Sequence, residues 1–149
     1  MKREEIQNLV EQVIRNVFEE MYFMSPEPVE RDDSSVSIPE SCFKAKVRVR
    51  NNPEMFVFYA SERLVTSMAK NLLGTNEATE ESDLLDVFRE AANVMAGSLI
   101  TSMTLDGAVG PEIPAVERLQ ACSEIETPQG AMFNVAGELF VLAFVHSEG

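Results

Sequence analysis

Tryptophan is absent from the 149-residue chain, histidine occurs once and cysteine twice. His146 has no Cys or His around it, so a zinc site or a Ser-His or Cys-His nucleophile system lacks its ligands and bases. The GxxxxGKS/T and GxGxxG loops of nucleotide and dinucleotide sites are also missing. Cations are scarce: 12 Lys and Arg stand against 25 Asp and Glu, a formal net charge of -13. That field repels phosphodiester backbones and anionic lipid, which argues against a nucleic-acid or membrane-surface role. No apolar run reaches the roughly 18–20 residues of a membrane span. Met1-Lys2-Arg3 continues into Glu4-Glu5 with no apolar signal core, so a cytoplasmic protein is expected. Cys42 and Cys122 lie far apart inside apolar stretches, where reduced, buried thiols are the expectation. Any catalysis is left to carboxylates, amides and hydroxyls.

What is present suits one folded domain over residues 1–149, since 45% of the residues are hydrophobic and can bury a core. Ile6, Leu9, Val10, Val13, Val17, Met21 and Met24 recur at helical spacing, and Ser25-Pro26-Glu27-Pro28 stops that helix. A polar loop through about Ser35 follows. Phe43, Ala45, Val47 and Val49 alternate with Lys44, Lys46, Arg48 and Arg50, the pattern of a half-buried strand. Its cations fit either a solvated sheet face balanced by nearby acids or a docking surface for an acidic partner. Asn51-Asn52-Pro53 turns the chain into a second strand over Met55–Tyr59.

A short helix is predicted from Ser61 to Leu73, ended by Gly74, then a polar connector and a long helix from about Glu80 to Met103. The segment Leu105–Pro114, with Asp106-Gly107 and Gly110-Pro111, reads as a loop. Strands at Leu119–Glu126, Met132–Val135 and Leu139–Val145 are separated by turns at Thr127-Pro128-Gln129-Gly130 and Ala136-Gly137, the last strand being central. The fold class is α+β: a mainly antiparallel sheet, closing in a meander, with helices packed on it.

The long helix carries an unusual line of residues. Leu84, Val87, Phe88, Ala91, Met95, Ser98 and Leu99 form its core stripe, while Asp86, Glu90, Asn93 and Gly97, spaced four, three and four, share another face. Asp86 and Glu90 are like charges one turn apart. Asn93 and Gly97 each cost roughly 0.5–1 kcal/mol relative to Ala in a helix. The line narrows from carboxylates to an amide to no side chain, leaving room for another molecule. A solvated polar face and a functional stripe both fit these residues. Asp86 and Glu90 sit side by side and cannot flank a substrate as a hydrolytic acid–base pair.

Asp86-x-x-x-Glu90-x-x-Asn93 resembles the (Asp/Ser)-x-x-x-Glu-x-x-Asn signature of the CheC/CheX/FliY phosphatases, and Val94-Met95-Ala96-Gly97 resembles its continuation. The preceding short helix, the Pro/Gly-rich loop and the final apolar strand are similar too. CheC-type members carry two signatures. In the first helix here Asn16 could be a second Asn, but Val13 falls where Glu belongs, and Gln12 and Arg15 do not repair it. One motif per chain looks like CheX.

That resemblance implies a chemotaxis phosphatase acting on the aspartyl phosphate of a CheY-type receiver. Asn93 would position the attacking water and Glu90 would pair with the receiver lysine. Asp86 and Gly97 would support the motif, Gly97 by permitting close approach. A homodimer is implied, with no cofactor or metal on this chain and Mg²⁺ in the receiver's site. The alternative is a non-catalytic interaction domain of the same fold, binding a receiver or a flagellar-switch component.

Overall fold

The computed structural model describes residues 3–30, 36–74, 80–103, 105, 107–125 and 130–146. Along the chain these form α1 (Arg3–Tyr22), β1 (Pro26–Val29), β2 (Val36–Ile38), β3 (Cys42–Arg48), β4 (Glu54–Ser61), α2 (Glu62–Leu73), α3 (Glu81–Met103), β5 (Ala115–Leu119), β6 (Cys122–Ile125), β7 (Ala131–Val135) and β8 (Glu138–His146). Six strands make one sheet in the order β1-β7-β8-β4-β3-β5, with every pairing antiparallel. The three helices cover one face of it. The α+β class and the antiparallel sheet are as the sequence pattern required.

Period-2 alternation assigns the two faces. Phe43, Ala45 and Val47 of β3, Phe56 and Phe58 of β4, and Phe140 and Leu142 of β8 join the helical side chains in one core. Phe140 is its centre, edge-on to Phe18 of α1 at 5.1 Å between centroids and in contact with Phe58 and Phe133. The opposite face carries Val141 and Met132, covered by Ile38, Cys122 and Ile125 of the two-stranded β2–β6 sheet. β8 is therefore central and buried on both faces.

Several expected boundaries move, for physical reasons. α1 stops at Tyr22 rather than Met24, because Phe23 turns left-handed (φ 57°) and the Met24 N–H donates back to the Phe18 carbonyl at 3.1 Å. Phe23 thus holds the left-handed position at the helix end that glycine usually takes. Pro26–Val29, expected only as a stop and loop, is the edge strand β1 on β7. Two prolines two apart lose donors on the same side, which an edge strand tolerates. The closing strands do not form a meander. β5 pairs with β3, β6 pairs with β2 in the second sheet, and only β7–β8 is a hairpin, turned by Ala136 and Gly137 at positive φ. The connector at 75–79 and the turn at 127–129 lie outside the described residues.

The thiol expectation is also corrected. Cys42 and Cys122 are both buried but joined as a disulfide, with Cα atoms 6.6 Å apart. Apolar flanks foretold the burial. The pairing arises because β3 and β6 belong to two sheets stacked face to face, a contact no local pattern encodes. On β3, Lys44 lies over the Tyr59 ring at 5.7 Å and opposite Glu117, while Lys46 and Arg48 are exposed.

Candidate functional site

α3 is fixed along its length before it presents anything to solvent. At its start the Glu80 carbonyl accepts from the N–H groups of Asp83 and Leu84, and the Glu80 N–H donates to Asp83 Oδ2 at 3.3 Å. Arg118 of β5 ties the same end down, reaching Glu62 of α2 at 2.8 Å and Glu81 at 3.7 Å. Leu84, Val87, Phe88, Ala91, Ala92, Met95, Ala96, Leu99 and Ile100 are buried. The buried arc is wider than the sequence stripe, because Ala92 and Ala96 let neighbouring elements approach. Phe88 meets Phe43 of β3 at 6.2 Å. α2 is anchored by Ser61, whose hydroxyl accepts from the Leu64 N–H at 3.1 Å and donates to Glu138 Oε1 at 2.6 Å.

Only a narrow outer arc of α3 remains, and the motif occupies it. Asp86, Glu90 and Asn93 are exposed and Gly97 is half-buried beside them. The sequence-derived line is thus one solvent-facing stripe about 16 Å long from Asp86 to Gly97, at the ordinary helical rise. Glu90 and Asn93 have no side-chain partner among the described residues. A Cβ added at Gly97 would meet nothing within 4 Å, so the absence of a side chain there answers no internal packing need. The Gly97 carbonyl also accepts from Thr101 Oγ1 at 3.1 Å.

Asp86 behaves differently from its neighbours. Arg89 Nη1 donates to Asp86 Oδ1 at 2.8 Å, and with the Asp86 side chain 74% exposed the pair contributes at most about 0.5 kcal/mol. Its effect is geometric: Arg89 draws the Asp86 charge sideways and offsets its repulsion of Glu90. Arg89 was overlooked in the sequence, although its spacing of three from Asp86 is the readable signal. Tyr22 was overlooked as well, lying between two methionines of the apolar stripe. It is fully buried, and burial first, then the charge of Glu90, pushes its phenol well above the ordinary range.

The stripe is a convex helix face. A depression of about 490 Å³ lies elsewhere, lined by Phe23, Met24, Glu27, Asn71 and Asn134. An exposed amide and carboxylate on a rigid helix suit a macromolecular partner better than an enclosed small molecule. Among the described residues no three His, Cys, Asp or Glu side chains converge to hold a metal ion, and no helix is long and apolar enough to cross a membrane.

Residues 43–133 match the family model described as Chemotaxis phosphatase CheX. The chain belongs to the CheX family. The match runs from β3 through α3 into β7, so it contains the whole stripe. Solved structures share the fold. Chemotaxis protein CheX from Desulfovibrio desulfuricans is 14% identical, with 96% of this chain and 99% of that one covered and a TM-score of 0.70. A CheC-like protein from Shewanella oneidensis is 18% identical, covering 93% and 96%, with a TM-score of 0.63. A CheX-CheY-BeF3-Mg complex from Borrelia burgdorferi is similar at 11% identity, 95% and 97% coverage and a TM-score of 0.66. No curated protein matches the sequence.

Proposed function

We propose that this CheX-family chain hydrolyses the aspartyl phosphate of a CheY-type response regulator in chemotaxis signalling, with Asn93 and Glu90 as the acting pair. One observation carries the reading: the two side chains project, unpartnered, from the outer arc of a helix whose other sides are buried.

An acyl phosphate is intrinsically labile, so catalysis needs a water held in line with phosphorus and little else from this chain. The Asn93 carboxamide both accepts and donates hydrogen bonds and carries no charge to repel the phosphoryl oxygens. It orients the water. Glu90, one turn earlier, pairs with the receiver's active-site lysine and fixes the register in which Asn93 enters. No covalent phospho-enzyme forms. The charge-neutralising Mg²⁺ belongs to the receiver, and this chain supplies no metal ligands. Gly97 lets the receiver's backbone lie close to α3, and Asp86, held by Arg89, borders the docking face. The reading further includes a cytoplasmic homodimer with one stripe per protomer.

The capture of the Borrelia relative with CheY supports a receiver as the partner. The decisive assay is phosphate loss from CheY-type receivers with wild-type chain, Asn93→Ala and Glu90→Ala. Acceleration by the wild type, abolished in Asn93→Ala, is the expected result. Receivers that bind the chain yet lose phosphate at the spontaneous rate would leave a non-catalytic interaction domain instead.

A further inference from the structure

Arg89 is the one Lys or Arg in α3. Its bond to Asp86 commits little of it. Nη1 donates to Asp86 Oδ1 at 2.8 Å, the guanidinium's one bond among the described residues, and the side chain is 40% exposed. A guanidinium carries five N–H donors in a planar fork, so four stay available. Helical geometry sets where they reach. Arg89 stands one turn before Asn93, where Cβ atoms are roughly 5–6 Å apart, a gap the long arginine stem can span. At about 100° per residue, Arg89 and Glu90 flank Asn93 on opposite sides. The motif's own charges, Asp86 and Glu90, are negative, in a chain of net charge -13. A phosphorylated receiver brings a further anionic group to Asn93, and an unphosphorylated one does not.

We propose that Arg89 is the specificity-determining residue for the phosphorylated form of the receiver, its free N–H groups donating to an outer phosphoryl oxygen while Asp86 keeps the guanidinium beside Asn93. This rests on the phosphatase reading above. Asn93 is neutral, and Glu90 meets the receiver lysine with or without a phosphoryl group. Arg89 alone on the stripe gains from the phosphoryl charge, through a charge-assisted bond to which the arginine fork is suited. That charge persists on the oxygens as the phosphorus leaves its carboxylate, so the bond serves ground and transition states alike. It raises affinity for the right form of the receiver and leaves turnover unchanged.

The test is Arg89→Gln, with binding measured to a CheY-type receiver alone and to the same receiver carrying beryllofluoride and Mg²⁺, a stable mimic of the acyl phosphate. Wild type should prefer the beryllofluoride form. Arg89→Gln should lower that preference roughly tenfold, the loss of one hydrogen bond between charged groups, with binding to the bare receiver little changed. In phosphate-loss assays KM should rise by a similar factor, with kcat within about twofold. The loss should persist when Arg89→Gln is made in an Asp86→Asn background. Disappearance of the loss there would show that Arg89 only cancels Asp86, and would overturn the proposal. An unchanged preference, or equal weakening toward both receiver forms, also overturns it and leaves the phosphatase reading intact. A wild type inactive on every receiver removes the phosphatase reading itself, and this proposal with it.

Discussion

Reducing the Cys42–Cys122 bridge should weaken the fold severely while sparing the catalytic stripe. The two cysteines are 80 positions apart and join β3 of the large sheet to β6 of the small one. In the chain-entropy description, closing a loop of that length removes roughly 15 cal/mol/K from the unfolded ensemble, about 4.5 kcal/mol at 25 °C. Reduction leaves both sulfurs in place as thiols, so no cavity term is added. For a chain of this size the midpoint moves roughly 2–4 °C per kcal/mol, which predicts a fall of about 9–18 °C. Far-UV circular dichroism is the suitable probe, since the chain has no tryptophan. Melting curves with and without reductant give the shift, and thiol titration of the unfolded, unreduced chain gives the bridge directly. Receiver dephosphorylation at 25 °C should not change, because β6 covers the sheet face opposite α3. Coincident melting curves, or two titratable thiols before reduction, would refute the reasoning.

Gly97→Ala adds a Cβ that meets nothing and removes a poor helix former, so stability should rise by about 1 kcal/mol while receiver dephosphorylation slows. Chemical denaturation and the phosphatase assay must move in opposite directions; a rise in both would show that no partner backbone approaches there. Ser61→Ala loses the cap of α2 and strips Glu138 of its donor, for a cost of about 1–2 kcal/mol read from the denaturation midpoint. Alkaline stability follows from Tyr22 and Tyr59, whose phenols are both raised above 10.0, Tyr59 by burial and Tyr22 by burial and then Glu90. Below that pH folded and unfolded chains both hold the protons. Above it the unfolded chain releases them while the folded chain does not, so stability should fall as pH climbs past 10.0. The fall should be shallower in Tyr22→Phe, measured by melting across that range.

The sequence by itself determined whatever depends on spacing along one element. The four-three-four interval from Asp86 to Gly97 puts those residues on one helix face in any context, because helical geometry is local. Gly74 at φ 68° ends α2, and the Ala136-Gly137 turn closes β7–β8, for the same reason. The alternation on β3 divided that strand into a core face and a solvated face before any neighbour was known. Tertiary structure alone decided which face of α3 stays open, since that depends on α1, α2 and the sheet closing around it. It placed Pro26–Val29 at an edge where missing donors are harmless, and sent β5 and β6 to different sheets. It joined Cys42 to Cys122 across two stacked sheets. Each of these is a meeting between residues distant in the chain, and such meetings are set by how layers pack, not by periodicity within one segment.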